Sequence, residues 1–122
     1  MKVTPIKTKI FRETEALLPF ILKYVKKLPE KSVLVVTSKI VALSEGRIRS
    51  IKNKKDRIKL IKEESDFLFK KNFLFTVKDN MVMAFAGVDE SNGDGKMIFL
   101  PKDSYESAEV LRKKLIQKYK VK

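Results

Sequence analysis

Residues 86–95 read AGVDESNGDG, a stretch that combines glycine with oxygen-bearing side chains and holds three of the four glycines in the chain. Asp89, Glu90, Asn92 and Asp94 supply oxygen ligands at short spacing, and hard divalent cations prefer such ligands. The downstream glutamate and the full ligand spacing of an EF-hand are missing. The stretch predicts either a turn in which Asp89 and Asn92 serve a metal and a polar ligand, or an ordinary polar turn between two strands.

A second candidate site follows the apolar run SVLVVT, residues 32–37. A continuous valine-rich run predicts a strand buried on both faces, and ligands of α/β sheets bind beyond the carboxyl ends of strands. Thr37, Ser38 and their backbone amides could meet a phosphate, with Lys39 as a mobile positive charge. The GxxxxGK pattern of a Walker motif is missing. The alternative is that Ser38 caps a helix.

Composition narrows the possible chemistry. The 122 residues include no cysteine and no histidine, which excludes disulfides, zinc fingers and thiol nucleophiles and removes the commonest general base. Any metal must bind to oxygen ligands, which indicates magnesium, manganese or calcium. The net charge of +13 favours anionic partners, although a lysine-rich solvated surface is the alternative. The basic clusters lack the interleaved aromatic residues of a single-strand platform, so nucleic acid is not the favoured partner.

The spacing of apolar residues predicts strands that alternate with helices. The predicted strands are 2–7, 32–37, 47–51, 73–77, 81–86 and 97–100, and the predicted helices are 13–29, 56–72 and 104–119. Residues 73–86 form a predicted hairpin around KDN, and Pro19 must lie in the first turn of its helix. This order predicts an α/β (α+β) fold, a single mixed-sheet domain with flanking helices over residues 1–122.

Individual positions of these elements can also be predicted. Asp56 and Asp103 are predicted helix N-caps, and paired Glu63 and Glu64 are expected to face solvent. The second helix should turn its apolar residues inward, namely Ile58, Ile61 and Leu68. Apolar runs are too short to cross a bilayer, and there is no signal-peptide pattern, so a cytoplasmic protein is expected.

Two longer patterns carry a family resemblance. VLVVTSKIVALSEGR and AGVDESNGDGKMIFLPKDSYESAEVLRKKL contain TSK-x-V-x-x-x-EGR, then AG-[VI]-D-x-SN, then LP-x-D-x-x-x-SA-x-x-[LI]-R. In this order they resemble the γ-glutamyl ligases that add glutamate to coenzyme F420 precursors and the related folate-metabolism γ-glutamate ligases. The resemblance extends from near the start of the chain to its end.

The resemblance implies a GTP- and metal-dependent amide ligase, with Mg2+ or Mn2+ as the metal. It implies that Asp89 is a metal ligand, that Asn92 contacts the nucleotide, and that Ser38 and Lys39 lie at its phosphates. No catalytic residue is assigned. Residues 9–12 would correspond to the first nucleotide loop of the family. In place of a polar or basic residue between the valine and the EGR turn, this chain has Ala42 and Leu43.

The resemblance covers only the N-terminal half of the longer family enzymes, so a partner chain or a homodimer is expected to supply the other half. The expected small-molecule partners are the nucleotide and a glutamate acceptor of the coenzyme F420 or folate type. A fragment, a short paralogue and one part of a split enzyme are all compatible with the sequence. The alternative function is a paralogue that binds a nucleotide or another anion without catalysis.

Overall fold

The computed structural model describes residues 2–13, 15–71, 73–90 and 95–121. Four helices are present in these ranges, namely α1 (Leu17–Tyr24), α2 (Ser38–Ser44), α3 (Lys54–Glu63) and α4 (Ser104–Tyr119). The strands are β1 (Ile48–Ser50), β2 (Phe67–Lys71), β3 (Phe73–Lys78), β4 (Met81–Ala84) and β5 (Lys96–Ile98). They form two small antiparallel sheets, β1-β5 and β2-β3-β4. The mixed α/β fold class is confirmed.

The chain packs as two compact units, Met1–Gly46 with Pro101–Lys122 and Arg47–Leu100. The single domain over residues 1–122 stays a prediction. No helix in the described ranges is both long and apolar enough to cross a membrane.

The first unit is built around α1 and α4. Ile21 and Val25 bury their side chains against Leu115 of α4, and Leu34 and Val36 pack onto this cluster. The Tyr119 hydroxyl donates a hydrogen bond to the Val25 carbonyl, which ties the end of α4 to the chain beyond α1. Helix α1 is shorter than predicted, but Pro19 is its third residue, as its missing N–H requires.

The second unit surrounds a core of four buried residues, Ile61, Ala86, Met97 and Phe99. Ile61 comes from α3, and Met97 comes from β5, which pairs with β1 in the register Ile48↔Ile98. Helix α3, strand β5 and the segment after β4 therefore meet in one core.

The predicted hairpin is confirmed. Strands β3 and β4 pair antiparallel, with Lys78 opposite Met81. Asp79 and Asn80 between them have φ of 51° and 60°, the left-handed pair of a two-residue turn that suits the twist of a hairpin. Asn and Asp tolerate this conformation better than other non-glycine residues.

The last helix is also confirmed, over the predicted residues 104–119. The Asp103 carboxylate accepts a hydrogen bond from the Glu106 N–H at 2.8 Å, so the predicted N-cap is correct. A capping bond depends only on neighbouring residues, which is why the sequence predicts it.

The helix predicted over 56–72 is confirmed for residues 56–63 and wrong for residues 64–71, and residue 72 lies outside the described residues. Helix α3 begins earlier, because the Asn53 side chain rather than Asp56 accepts from the amides of the first turn. It ends at Glu63, and β2 follows and pairs with β3. Ile61 is buried as predicted, but Ile58 is 48% exposed. Cross-strand pairing with β3 overrides the helical spacing of this segment.

Two predicted strands are not formed. Residues 2–7 and 32–37 have no strand pairing in the described ranges. Leu34 and Val36 pack inward, whereas Val33 and Val35 are 85% and 84% exposed. The segment is therefore covered on one face only. A strand needs a neighbouring backbone, which the local sequence cannot guarantee.

Candidate functional site

The turn that precedes Asp89 has an unusual backbone. Phe85, Ala86 and Gly87 have φ of 54°, 52° and 69°. Left-handed non-glycine residues cost about 1 to 3 kcal/mol each and persist only where their surroundings hold them. A Cβ on Gly87 would lie 2.6 Å from Leu100 Cδ1, so position 87 requires glycine for both its conformation and its space.

The buried hydroxyl of Thr76 stabilises this turn through two hydrogen bonds. Thr76 Oγ1 accepts a hydrogen bond from the Ala86 N–H at 2.7 Å and donates one to the Met83 carbonyl at 2.9 Å. Its side chain is fully buried, where an unpaired polar group would be costly. Both hydrogen bonds therefore favour the strained conformation over a relaxed one.

Asp89 follows the turn and is fixed through its backbone. Its N–H donates to the Ile98 carbonyl at 2.8 Å, and the Ile98 N–H donates back at 2.9 Å. This isolated antiparallel bridge joins Asp89 to Ile98, the last residue of β5. The Asp89 side chain is half-buried. The bridge therefore fixes the backbone of Asp89 within the second unit.

Glu90 has a charged partner on α3. Arg57 Nε donates a hydrogen bond to the Glu90 carboxylate, and the Arg57 guanidinium lies 4.7 Å from the centre of the Phe85 ring. Glu90 was a candidate oxygen ligand in the sequence. Its charge is instead balanced by an arginine.

The described residues include no cluster of three or more acidic side chains that could hold a metal. Asn92 and Asp94 lie outside the described residues. A single carboxylate does not make an all-protein cage, but Mg2+ commonly binds through one or two carboxylates together with phosphate oxygens and water. The donor chemistry at Asp89 therefore fits a hard cation that is carried by a polyphosphate.

Ser38 and Lys39 are the first two residues of α2. The N-cap residue is Thr37, and its side chain makes no capping bond, so the alternative of Ser38 as the N-cap is wrong. Ser38 is exposed and Lys39 is half-buried. Both residues belong to the first unit, whereas Asp89 belongs to the second.

The EGR pattern has a structural role that the sequence did not reveal. The Glu45 carboxylate accepts hydrogen bonds from the Lys102 N–H at 2.9 Å and from Ser107 Oγ at 2.5 Å. Gly46 has φ of 67°, as expected for a tight turn. Glu45 therefore connects the end of α2 to the start of α4 within the first unit, which explains why the first and third sequence patterns occur together.

Arg47 organises polar contacts in the second unit. Its Nε donates to the Leu100 carbonyl at 3.0 Å, and its guanidinium pairs with Glu64. Lys78 Nζ pairs with the same Glu64 carboxylate at 3.2 Å. The prediction that Glu64 faces solvent is therefore wrong, since its side chain is only 18% exposed. Glu63 is 56% exposed, in line with the prediction.

A cleft of about 670 Å³ lies in the first unit beside residues 9–12. Its walls carry the cations of Lys9, Arg12 and Lys23, one carboxylate from Glu15, and aromatic residues including Tyr24. The assignment of residues 9–12 to a nucleotide loop stays a prediction, and the sequence analysis did not consider Lys23 and Tyr24, which line the same cleft. Helical spacing could have indicated these two residues, because Lys23 and Tyr24 lie three and four positions after Phe20 and share its face of α1.

The second unit thus belongs to a mixed α/β protein in which a strained turn precedes Asp89, an acidic residue with a fixed backbone. The model of the F420-0:gamma-glutamyl ligase family matches residues 5–122, and the chain belongs to this family. The resemblance inferred from the three sequence patterns is confirmed. A comparison with curated proteins gave no match.

Proposed function

We propose that this protein takes part in the GTP- and metal-dependent addition of glutamate to a coenzyme F420 precursor or a folate-like acceptor. The observation that carries the proposal is the position of Asp89, which follows a strained turn and whose backbone is fixed by a bridge to Ile98. Active sites use such strained, over-determined backbone to preorganise a ligand. Family membership supplies the reaction class.

The proposed reaction has two steps. A carboxylate oxygen of the acceptor attacks the γ-phosphorus of GTP, the bond to the bridging oxygen breaks, and GDP leaves with that electron pair. The glutamate amine then attacks the acyl phosphate carbon, phosphate leaves, and the amine loses its proton. A divalent cation, when bound, offsets charge on the phosphate oxygens. This chemistry needs no cysteine or histidine, in agreement with the composition.

Each predicted residue has a role in this proposal. Asp89 would hold Mg2+ or Mn2+, and Asn92 would contact the nucleotide. Ser38 would donate its hydroxyl to a phosphate, and Lys39 would balance phosphate charge. A partner chain, a second copy or a further segment would supply the remaining metal ligands and the glutamate site.

Titration of GTP with and without Mn2+ tests the proposal. Asp89→Asn removes the charge and keeps the size, so GTP affinity in the presence of Mn2+ should fall roughly tenfold or more, as for loss of a group that a metal site depends on. Asp79→Asn is the matched control, because Asp79 lies in the exposed hairpin turn. Equal affinity in both variants, or no Mn2+ dependence at all, would refute a metal role for Asp89.

The second candidate is binding of a nucleotide or another anion without catalysis. The cleft lined by Lys9, Arg12 and Lys23 favours it, since three cations face one carboxylate there and the aromatic walls suit a base. In this case GTP binds equally well without Mn2+, Asp89→Asn changes nothing, and Lys23→Met weakens binding. No amide product should form with glutamate and any acceptor in the presence of a partner chain.

A further inference from the structure

We propose that Arg57 is a positioning residue, which sets the orientation of Asp89 through Glu90 and the ring of Phe85. This inference rests on the proposed metal role of Asp89. Arg57 contacts Phe85 at the start of the strained turn and Glu90 just after Asp89.

The geometry of the contact carries the inference. Arg57 Nε donates to the Glu90 carboxylate, and the same guanidinium stacks 4.7 Å from the centre of the Phe85 ring. Phe85 begins the left-handed run, and Glu90 comes directly after Asp89. One planar cation therefore connects both ends of the segment that presents the carboxylate. Arginine suits this task because its fork can pair with a carboxylate while its face covers a ring.

Helix α3 fixes the position of the Arg57 backbone. The Asn53 side chain caps the helix with hydrogen bonds at 2.8 Å and 3.0 Å. One turn after Arg57, Ile61 is completely buried in the core of the second unit. The backbone that carries Arg57 is therefore fixed by local and by tertiary contacts.

The Arg57–Glu90 pair is partly exposed to solvent, so its role in positioning can be tested apart from core packing. The Arg57 and Glu90 side chains are 28% and 38% exposed, and a pair at such exposure contributes little to global stability. The turn itself has other supports, the Thr76 hydroxyl and the bridge to Ile98. Loss of Arg57 should therefore loosen the segment around Asp89 without unfolding the unit.

The test compares Arg57→Met with Lys59→Met, a change of the same kind at a more exposed position of the same helix. Mn2+ with GTP is the probe, and binding is followed by the electron paramagnetic resonance of Mn2+. We expect roughly tenfold weaker binding in Arg57→Met, wild-type binding in Lys59→Met, and a melting temperature close to that of the wild type in both. Arg57→Lys, which keeps the charge, should recover part of the loss.

Glu90→Gln shows whether Arg57 acts through its partner. The variant that combines Arg57→Met with Glu90→Gln should bind Mn2+ with GTP no more weakly than Arg57→Met alone, because both changes break the same contact. Additive losses would mean that Arg57 contacts the nucleotide itself and would overturn the proposal, as would unchanged Mn2+ binding in Arg57→Met.

A ligand-free measurement distinguishes failure of this inference from failure of the proposed function. Amide hydrogen exchange at Asp89 and Ile98 should be at least several-fold faster in Arg57→Met than in Lys59→Met. If the wild type binds no Mn2+ with GTP, the proposed function falls, and exchange alone decides whether Arg57 positions the turn. If Asp89→Asn abolishes binding but exchange is unchanged in Arg57→Met, only the positioning inference falls.

Discussion

At the scale of single residues, half-buried charges and left-handed backbone decide most of the local structure. Glu64 accepts contacts from both Arg47 and Lys78, and Gly87 passes against Leu100 where no side chain fits. Both residues lie in the unit that carries Asp89. Their substitution should therefore lower the stability of that unit.

Glu64→Gln should lower the free energy of unfolding by about 1.5 to 3 kcal/mol, the range for hydrogen bonds to charged groups. The change leaves Arg47 and Lys78 without their shared counter-charge, and the Lys78 side chain is only 11% exposed. Urea denaturation measures the effect. Glu63→Gln, at the last residue of α3, is the control and should change stability by less than about 0.5 kcal/mol. Similar losses in both variants would contradict the paired role of Glu64.

Gly87→Ala should destabilise the protein more than Gly46→Ala. Both glycines have left-handed backbone, with φ of 69° and 67°, so alanine costs about 1 to 2 kcal/mol at either position. Only at Gly87 would the new methyl group collide with Leu100, whereas nothing lies within 4 Å of the corresponding point at Gly46. Thermal denaturation measures the fall in melting temperature of each variant, and the difference between the two variants gives the cost of the collision with Leu100. Equal falls in melting temperature would show that Leu100 moves aside.

At the scale of elements, local hydrogen bonds and cross-strand pairing compete. Helix α4 forms where its cap and its spacing predict it. Residues 64–71 do not continue α3, because β2 pairs with β3. An element can therefore be predicted with its boundaries where neighbouring residues stabilise it, as in α4, and not where a distant strand does.

The pH dependence of α4 follows from Glu109. Its hydrogen bond to Arg112, followed by smaller contributions that include Lys113, lowers the pKa of the Glu109 carboxyl from 4.5 to about 2. Because the folded-state pKa is depressed, the stabilising contribution is complete above about pH 4.5 and is lost as the pH falls towards 2. Titration of the Glu109 side-chain carbon by NMR checks the value. In Arg112→Gln the pKa should return towards 4.5; an unchanged value would mean that Arg112 is not the cause.

At the scale of the whole molecule, two features have opposite effects on self-association. The net charge of +13 keeps copies apart, whereas Val33 and Val35 expose an apolar edge. The backbone groups of residues 33–36 have no hydrogen-bond partner in the described ranges. Unpaired edges of this kind invite association, which supports the proposed homodimer or partner chain.

Val35→Lys should reduce self-association and leave the free energy of unfolding within about 0.5 kcal/mol of the wild type. Sedimentation at low and high salt measures the first effect, since salt screens the repulsion and should promote association of the wild type. Val36→Lys is the matched variant on the packed face and should cost about 1 to 3 kcal/mol. Association that is equal in wild type and Val35→Lys would show that this edge is not the contact.

The sequence by itself determined the features that depend on neighbouring residues. These are the Asp103 cap, the Asp79-Asn80 turn and the oxygen-only ligand chemistry of a chain without cysteine or histidine. The three sequence patterns also indicated the family. The cap, the turn and the ligand chemistry follow from local backbone preferences or from side-chain type, so they need no knowledge of distant contacts.

Tertiary structure alone decided which charges are paired and which strands exist. Glu64 is half-buried because Arg47 and Lys78 reach it from other elements. Glu90 is neutralised because α3 brings Arg57 beside it, a separation of 33 residues along the chain. The segment 32–37 forms no strand because apolar composition supplies burial but cannot supply a neighbouring backbone.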